Sequence, residues 1–373
     1  MAVASADYEA YSQTIRQIYA ESERIILEKV AKRLERGIDS PGWAEKKAAE
    51  ILQLRGDIKE EIKNLRKQNT AVADAVEAAY RAGQEQAERD IPALTAKAAT
   101  RTAVPGTNIT LLQQSRVIGG FGSIDRDAIR ALVDVTVNKL NKSHFAILRL
   151  TEDAYRGTIA EATSQVTMGT QTVREAAQVA LNRFADRGIS GFVDKAGRRW
   201  DLSSYAEMAV RTTTGQAAVE GHLNRLMEHG HDLVIVQGGG GSCESCASWH
   251  GRVLSISGAT DSYPSVAEAT ATGHLMGPNC TCTLSAYIEG LSESPEPLTA
   301  EQKAEQEVKY QERQQQRYNE RQIRHWKRRE AVALGEGKDS TLAKAKVREW
   351  QGRQRAFVKD SGRRRDYSRE QIR

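Results

Sequence analysis

The longest regular feature of this sequence is a helical repeat of apolar residues that extends from about residue 8 to residue 97. Apolar side chains recur three or four positions apart among many Glu, Lys, Arg and Gln residues. One stretch of the repeat contains Ile51, Leu54, Ile58, Ile62 and Leu65. An apolar stripe of this period is buried when helices pack against one another. The segment therefore predicts two or three long helices in a hairpin or a bundle, and similar patterns predict further helices over 125–187.

The period of the apolar residues changes from 3.6 to 2 after residue 230. Short β-branched runs at 232–237, 252–257 and 283–288 are bounded by Gly, Ser and Pro, which is typical of strands. Before them, residues 191–200 have the pattern of a hairpin. Asp201 to Ser204 offer N-cap candidates for the next helix, and Glu207 is placed three residues after Ser204 as in a capping box.

We therefore predict a mainly α protein with a small α+β unit. Its 373 residues are enough for two or three domains that each bury a core. The expected order is a long helical hairpin or bundle over 1–102, a loop over 103–124, a helical region over 125–187, a compact α+β domain with the cysteines over 188–290, a linker over 291–300 and a basic helical tail over 301–373.

Charge is distributed unevenly along the chain. Residues 301–373 contain 21 Lys and Arg against 12 Asp and Glu, whereas residues 1–300 contain 33 against 37. A nearly neutral body with a basic tail favours an anionic partner, either nucleic acid or an acidic protein surface. The sequence has no run of about 18 apolar residues, as a membrane span would need, and its first residues lack a secretory signal pattern. We expect a soluble, non-secreted protein that has no membrane partner.

The cysteines are concentrated in forty residues, in two close pairs: Cys243, Cys246, Cys280 and Cys282. Two such pairs beside predicted strands have the layout of a tetrahedral zinc site, in which soft ligands on two turns surround one ion. His250 and His274 are possible additional ligands. Reduced cysteines that pack in a core, and disulfides, are the alternatives, although a chain assembled in a reducing cytoplasm disfavours disulfides. A structural zinc ion is the predicted cofactor.

Catalytic use of this cluster has little support in the sequence. A zinc deaminase needs a His-x-Glu motif upstream of Pro-Cys-x-x-Cys, and Pro278-Asn279-Cys280-Thr281-Cys282 follows no such motif. The glycines at 238–241 precede neither a Walker lysine nor a helix start, so a flexible loop is favoured over a phosphate cradle. We predict that the protein is not an enzyme. The alternative is a metal-dependent enzyme that processes nucleic acid at the Cys and His cluster.

Basic residues of the tail are the candidates for contact with nucleic acid. No base-reading motif accompanies them, so contact with phosphates would be non-specific and dependent on salt. A solvated helix face paired with Glu and Asp, and docking on an acidic protein, are the alternatives. Lys344, Lys346, Arg348, Arg353 and Arg355 continue the basic pattern. The predicted DNA-binding residues are Arg321, Arg324, Lys327, Arg328, Arg329, Arg363, Arg364 and Arg365.

The region around the cysteines resembles the minor capsid proteins of tailed phages, which are relatives of the Mu F-like head-morphogenesis proteins. The residues that carry the resemblance are Cys243-x-x-Cys246-x-x-Trp249-x-Gly251-Arg252-Val253, Tyr263-Pro264-Ser265, Gly273, Pro278-Asn279-Cys280 and Tyr287-Ile288-Glu289-Gly290. The resemblance covers about 188–373 well and the first half by general character. The family usually has a histidine directly before Pro-x-Cys, where this sequence has Gly277. A metal site would therefore have lost that ligand or replaced it with His274 or His250.

The resemblance implies a virion protein of few copies, assembled in the host cytoplasm and located inside the capsid near the portal vertex. Its implied partners are the phage portal protein, other capsid proteins and packaged double-stranded DNA, and its implied roles are head assembly, DNA packaging or delivery. A free DNA-binding protein of the host type is a further alternative, and it would bind DNA without any portal partner.

Overall fold

The structure is a computed structural model that describes residues 6–101, 126–168, 171–187, 192–193, 199–238, 242–260, 262–273, 275–278, 280, 282–290, 292, 298–335 and 337–372. Its helices are α1 (Ala6–Glu35), α2 (Trp43–Ala49), α3 (Ile51–Arg66), α4 (Asn69–Arg101), α5 (Arg126–Thr167), α6 (Val173–Arg187), α7 (Leu202–Glu228), α8 (Glu244–Ala247), α9 (Val266–Thr270), α10 (Ala300–Gly335) and α11 (Thr341–Ser361). Its strands are β1 (Phe192–Val193), β2 (Arg199–Trp200), β3 (Leu233–Gln237), β4 (Val253–Ser255) and β5 (Thr283–Ala286). The predicted fold class, mainly α with a small α+β unit, is confirmed.

Contacts group the described residues into two compact units, each built from three separate segments. The sheet unit contains the described residues within Met1–Tyr11, Thr70–Thr136 and Met208–Arg313, and the C-terminal unit contains those within Ser12–Asn69, Val137–Glu207 and Gln314–Arg373. The predicted linear division into six segments stays a prediction, because nothing in this grouping tests it.

In the C-terminal unit, the helical repeat forms the buried faces that its period predicts. On α3, Leu54, Ile58, Ile62 and Leu65 are buried at intervals of four, four and three residues, which is one side of a helix. The turn into α2 is closed by Trp43, whose indole nitrogen donates a hydrogen bond to the carbonyl oxygen of Leu34 at 2.9 Å.

In the sheet unit, α4 and α7 pack against each other at closely approaching backbones. A Cβ atom at Gly83 would overlap the carbonyl oxygen of Ala218, and a Cβ at Gly221 would overlap the carbonyl oxygen of Tyr80. Since a glycine on each helix faces the backbone of the other, neither position can accept a side chain without separating the helices. The side-chain amide of Asn224 on α7 donates to the hydroxyl oxygen of Tyr80 on α4 at 2.9 Å.

The small sheet has the strand order β4–β3–β5, with both neighbours antiparallel to β3. Ile235 pairs with Val253 on one side and with Ser285 on the other. Val234, Val236, Leu254 and Leu284 are buried in one core cluster with Leu226 of α7. These strands confirm the change of period after residue 230. The predicted hairpin is also present, as Phe192 pairs with Trp200 in an antiparallel register.

The predicted capping box at the start of α7 is wrong. Asp201 is the residue that satisfies the first turn, since its carboxylate accepts hydrogen bonds from the backbone N–H of Ser204 at 2.8 Å and from the hydroxyl of Ser203 at 3.0 Å. Because α7 begins at Leu202, Ser204 lies inside the helix and is not its N-cap. Glu207 forms buried ion pairs with two arginines that are distant in sequence.

Candidate functional site

The sheet brings the two halves of the cysteine motif to the same end. Strand β3 ends at Gln237 and its partner β5 begins at Thr283, and these two residues are paired in the sheet. The loop after β3 leads into α8, which contains Cys246, and the segment before β5 contains Cys280 and Cys282. The antiparallel pairing of β3 and β5 therefore places Cys246 beside Cys280, which is 34 positions later in the chain.

Three of the four cysteines form one group. The sulfur atoms of Cys246, Cys280 and Cys282 all lie within 4.8 Å of one another, and the first two are 3.7 Å apart. The four cysteines are free thiols rather than disulfides. Cys246 and Cys282 are buried in the same apolar cluster as the sheet core, and Cys280 is half-buried beside it. The group can therefore donate up to three thiolates to one ion.

His250 lies at the edge of this group. Its Nε2 atom is 3.4 Å from the sulfur of Cys282. The imidazole also lies directly against the backbone of Gly238, where a Cβ atom would overlap the ring. The first glycine of the run at 238–241 thus provides space for this histidine, which the sequence interpretation as a flexible loop did not anticipate.

Polar groups around the cluster favour one thiolate and a neutral imidazole. Hydrogen bonds from the thiols of Cys246 and Cys282 lower the pKa of the Cys280 thiol far below its ordinary value. The backbone N–H of Cys282 donates to that sulfur at 3.4 Å. Burial lowers the pKa of His250 below 6.5, which keeps the ring uncharged at neutral pH. Deprotonated sulfur and neutral imidazole are the forms that bind metals.

The remaining predicted ligands have different positions. Cys243 is half-buried at the N-cap of α8 and packs against the core, but its sulfur is not in the group formed by the other three. His274 lies outside the described residues. Of the six predicted ligands, the structure thus brings together Cys246, Cys280, Cys282 and His250.

Two predicted DNA-binding arginines are inside the C-terminal unit. Arg324 is 4% exposed and donates to a carboxylate oxygen of Asp201 at 3.0 Å and to the carbonyl oxygen of Arg369 at 2.6 Å. Arg328 is 6% exposed, donates to the carbonyl oxygen of Ala185 at 3.0 Å and lies 3.9 Å from a carboxylate oxygen of Glu23. Because these guanidinium groups are buried and hydrogen-bonded, they are not accessible to a phosphate.

The same network holds the end of the chain. Glu207, itself 3% exposed, forms ion pairs with Arg369 and, at 3.2 Å, with Arg16. Arg16 also donates to the carbonyl oxygens of Ser368 and Arg369. A short 3₁₀ turn, Tyr367–Glu370, is thereby fixed to α1 and to the start of α7 within the C-terminal unit. Residues 367–370 are thus a packed part of this unit.

Of the other predicted DNA-binding residues, four are half-buried and hydrogen-bonded within the chain. Arg329 pairs with Asp186, Arg365 with Glu370 at 2.6 Å, Lys327 with Gln371 at 2.6 Å and Arg363 with Gln316 at 2.7 Å. The exposed members of the predicted set are Arg321 and Arg364.

Helix α11 carries an exposed basic face that the predicted set does not include. Lys344, Arg348, Arg355 and Lys359 are all exposed, and at 100° per residue they lie within about 60° around the helix axis. Within the described part of the chain, these four side chains form no ion pair. The acidic Glu349 is directed to other partners, Lys346 and Arg353, each at 2.8 Å. These four residues are separated by four, seven and four positions, a helical spacing that was visible in the sequence and could have identified this face.

The described residues combine long helices packed through apolar faces, a small sheet beside a thiol cluster, and buried ion pairs that hold residues 367–370. The family model of phage minor capsid protein 2 matches residues 4–359. The chain therefore belongs to the phage minor capsid protein 2 family, which confirms the resemblance seen around the cysteines. No curated protein and no solved structure matches significantly.

Family membership places the function of the protein in the phage head and its location in the virion, with other phage structural proteins as its partners. A structural family agrees with the prediction that the protein is not an enzyme. Among the residues that the structure describes, no helix is both long enough and apolar enough to cross a membrane.

Proposed function

We propose that the protein is a minor head component that docks on the portal inside the capsid, assists assembly, DNA packaging or delivery, and contacts packaged double-stranded DNA without sequence specificity. The support for a head role is the family match over residues 4–359. The support for DNA contact is the exposed basic face of α11, with Arg321 and Arg364 as further contacts. Arg324 and Arg328 are left out of the proposed surface because they are buried.

The basic face of α11 is the observation that carries the DNA-binding part. Lys344 and Lys359 are about 22 Å apart along the helix axis, since each residue adds about 1.5 Å. Along this length the four cations can follow a row of phosphates, which recur about every 3.4 Å of helix axis on one strand of DNA. Long, exposed Lys and Arg side chains without carboxylate partners bind phosphates at little internal cost, because no ion pair has to be broken.

Binding to an unrelated double-stranded DNA should be measured by fluorescence anisotropy at several salt concentrations. A variant with Lys344→Gln, Arg348→Gln, Arg355→Gln and Lys359→Gln should bind more weakly. The slope of log affinity against log salt should become shallower by up to about 3.6, because each of the four lost phosphate contacts removes about 0.9. A matched control with Lys46→Gln, Lys59→Gln, Lys63→Gln and Lys67→Gln removes the same charge from exposed positions elsewhere. Equal loss in both variants would mean that only net charge matters and would refute a defined surface.

Portal docking requires a separate test. The wild-type protein should be captured by purified portal rings and should be found in assembled heads, whereas a free DNA-binding protein would bind DNA but not the portal. Absence of the protein from both portal complexes and heads would refute this part of the proposal, whatever its affinity for DNA.

We also propose that the cysteine cluster binds a metal ion in a structural role. The observation that favours a metal is the group of three mutually close sulfur atoms at one end of the sheet. The alternative of a metal-dependent enzyme that processes nucleic acid has less support, since no carboxylate belongs to this group within the described residues. A nuclease assay with added divalent metals should therefore give no activity, and cleavage that depends on Cys280 would favour the enzyme instead.

A further inference from the structure

The three sulfur atoms have the spacing of ligands on one face of a tetrahedral zinc ion. With zinc–sulfur bonds of about 2.3 Å, two thiolates on the same ion are about 3.8 Å apart. The distance between the sulfurs of Cys246 and Cys280 is 3.7 Å, and Cys282 lies within 4.8 Å of both. Thiol groups are weak hydrogen-bond donors and acceptors, so the convergence of three sulfurs on one point favours a shared ion.

The fourth ligand can be chosen from the contacts of Cys243 and His250, the two remaining candidates that the structure describes. A thiolate and an imidazole nitrogen on one tetrahedral zinc are about 3.5 Å apart, and His250 Nε2 is 3.4 Å from the sulfur of Cys282. The ring nitrogen is not within 4.8 Å of all three sulfurs, so metal binding would draw the imidazole further toward Cys246 and Cys280. Among the described residues, Cys243 has no comparable contact with the three sulfurs and instead packs against the apolar core.

We infer that the ion is zinc and that its ligands are Cys246, Cys280, Cys282 and His250, whereas Cys243 is not a ligand. This assignment rests on the metal binding proposed above. Four protein ligands leave no position for water or substrate, which is the arrangement of structural zinc sites. The ion would join α8 and the turn after it to the segment that enters β5. It would thereby close a loop between Cys246 and Cys280, which are 34 positions apart, in a unit whose strands are only three to five residues long.

Gly238 supports this choice of the fourth ligand. A side chain at this position would overlap the imidazole of His250, so the glycine permits the ring to lie beside Cys282. A flexible loop without a histidine beside it would not require glycine at this point. Gly238 thus has a positional role in the proposed site.

The test uses the full chain, purified under reducing conditions from medium with zinc and dialysed before metal analysis by mass spectrometry. We expect one zinc per chain in the wild type and in Cys243→Ser, none in Cys280→Ser, and at least tenfold weaker retention against a chromophoric chelator in His250→Ala. Far-UV circular dichroism should show that each variant is helical. X-ray absorption at the zinc edge of the wild type should give three sulfur ligands and one nitrogen, a result that depends on no variant.

The outcomes separate the two proposals. Four sulfur ligands, or loss of zinc in Cys243→Ser with retention in His250→Ala, would overturn the ligand set but leave metal binding intact. A wild-type chain that contains no metal and takes up none on titration with zinc under reducing conditions would overturn metal binding itself. The proposed role in the phage head would be unaffected by either result, because it is tested by portal and head association.

Discussion

Glu207 should be among the most sensitive positions of the C-terminal unit. Its carboxylate lies between Arg16, which is 1% exposed, and Arg369, which is 6% exposed. Burial and the nearby guanidinium of Arg324 already lower the pKa of Arg16 to about 10, although Glu207 opposes the shift. Glu207→Gln keeps the size of the side chain but removes the charge that compensates this cluster of buried cations.

Removing one partner of a buried ion pair costs about 3–5 kcal/mol, because the other charge stays desolvated without compensation. At about 1.4 kcal/mol per tenfold change, even the lower value raises the unfolding equilibrium constant by more than about a hundredfold. The free energy of unfolding should be measured by urea denaturation at pH 7, followed by circular dichroism. The 3₁₀ turn at Tyr367–Glu370 should also loosen, so that trypsin cleaves at Arg363–Arg365 sooner than in the wild type.

The matched control is Glu349→Gln on α11, whose carboxylate forms two ion pairs that are open to solvent. Exposed pairs contribute little to stability, so the urea midpoint of this variant should be that of the wild type. If Glu207→Gln lost less than about 1 kcal/mol and its chain end resisted trypsin as before, the buried network would not hold the C-terminal segment and the reasoning would be refuted.

Two further predictions concern the helix crossing and a buried histidine. Gly221→Ala places a Cβ on the carbonyl oxygen of Tyr80 and should destabilise the sheet unit by about 1–3 kcal/mol. Gly215→Ala on the same helix has no neighbour within 4 Å of the new Cβ and should instead stabilise the sheet unit by about 0.5–1 kcal/mol. Thermal unfolding of both variants would test this prediction, and a similar loss of stability in both would contradict it. Burial lowers the pKa of His144 to about 4, so the unfolded chain binds its proton first as the pH falls. The free energy of unfolding should therefore be at its full value above pH 6.5 and should fall by up to about 1.4 kcal/mol per pH unit between pH 6.5 and 4. Urea titrations at pH 7 and pH 5 should show a smaller drop for His144→Gln than for the wild type, and equal drops would exclude His144 as the cause.

The helices, the strands and the two cysteine pairs could be predicted from the sequence, because they depend on local patterns. The spacing of Leu54, Ile58, Ile62 and Leu65 makes an apolar face on any helix that they form, and burial of that face follows from the hydrophobic effect. The alternating runs near residues 233 and 283 predicted strands on the same grounds. The family resemblance around the cysteines was also visible in the residues.

Which polar residues lie on the surface and which are buried depends on long-range packing. Arg16 and Arg369 are 353 positions apart, and no local pattern could show that both meet one carboxylate. A run of arginines reads as a solvated or DNA-binding face until long-range packing supplies buried partners, as it does for Arg324 and Arg328. Sequence spacing also does not encode distances across a sheet. The pairing of β3 with β5 brings Cys246, Cys280 and Cys282 together with His250 beside them, and it leaves Cys243 outside the group.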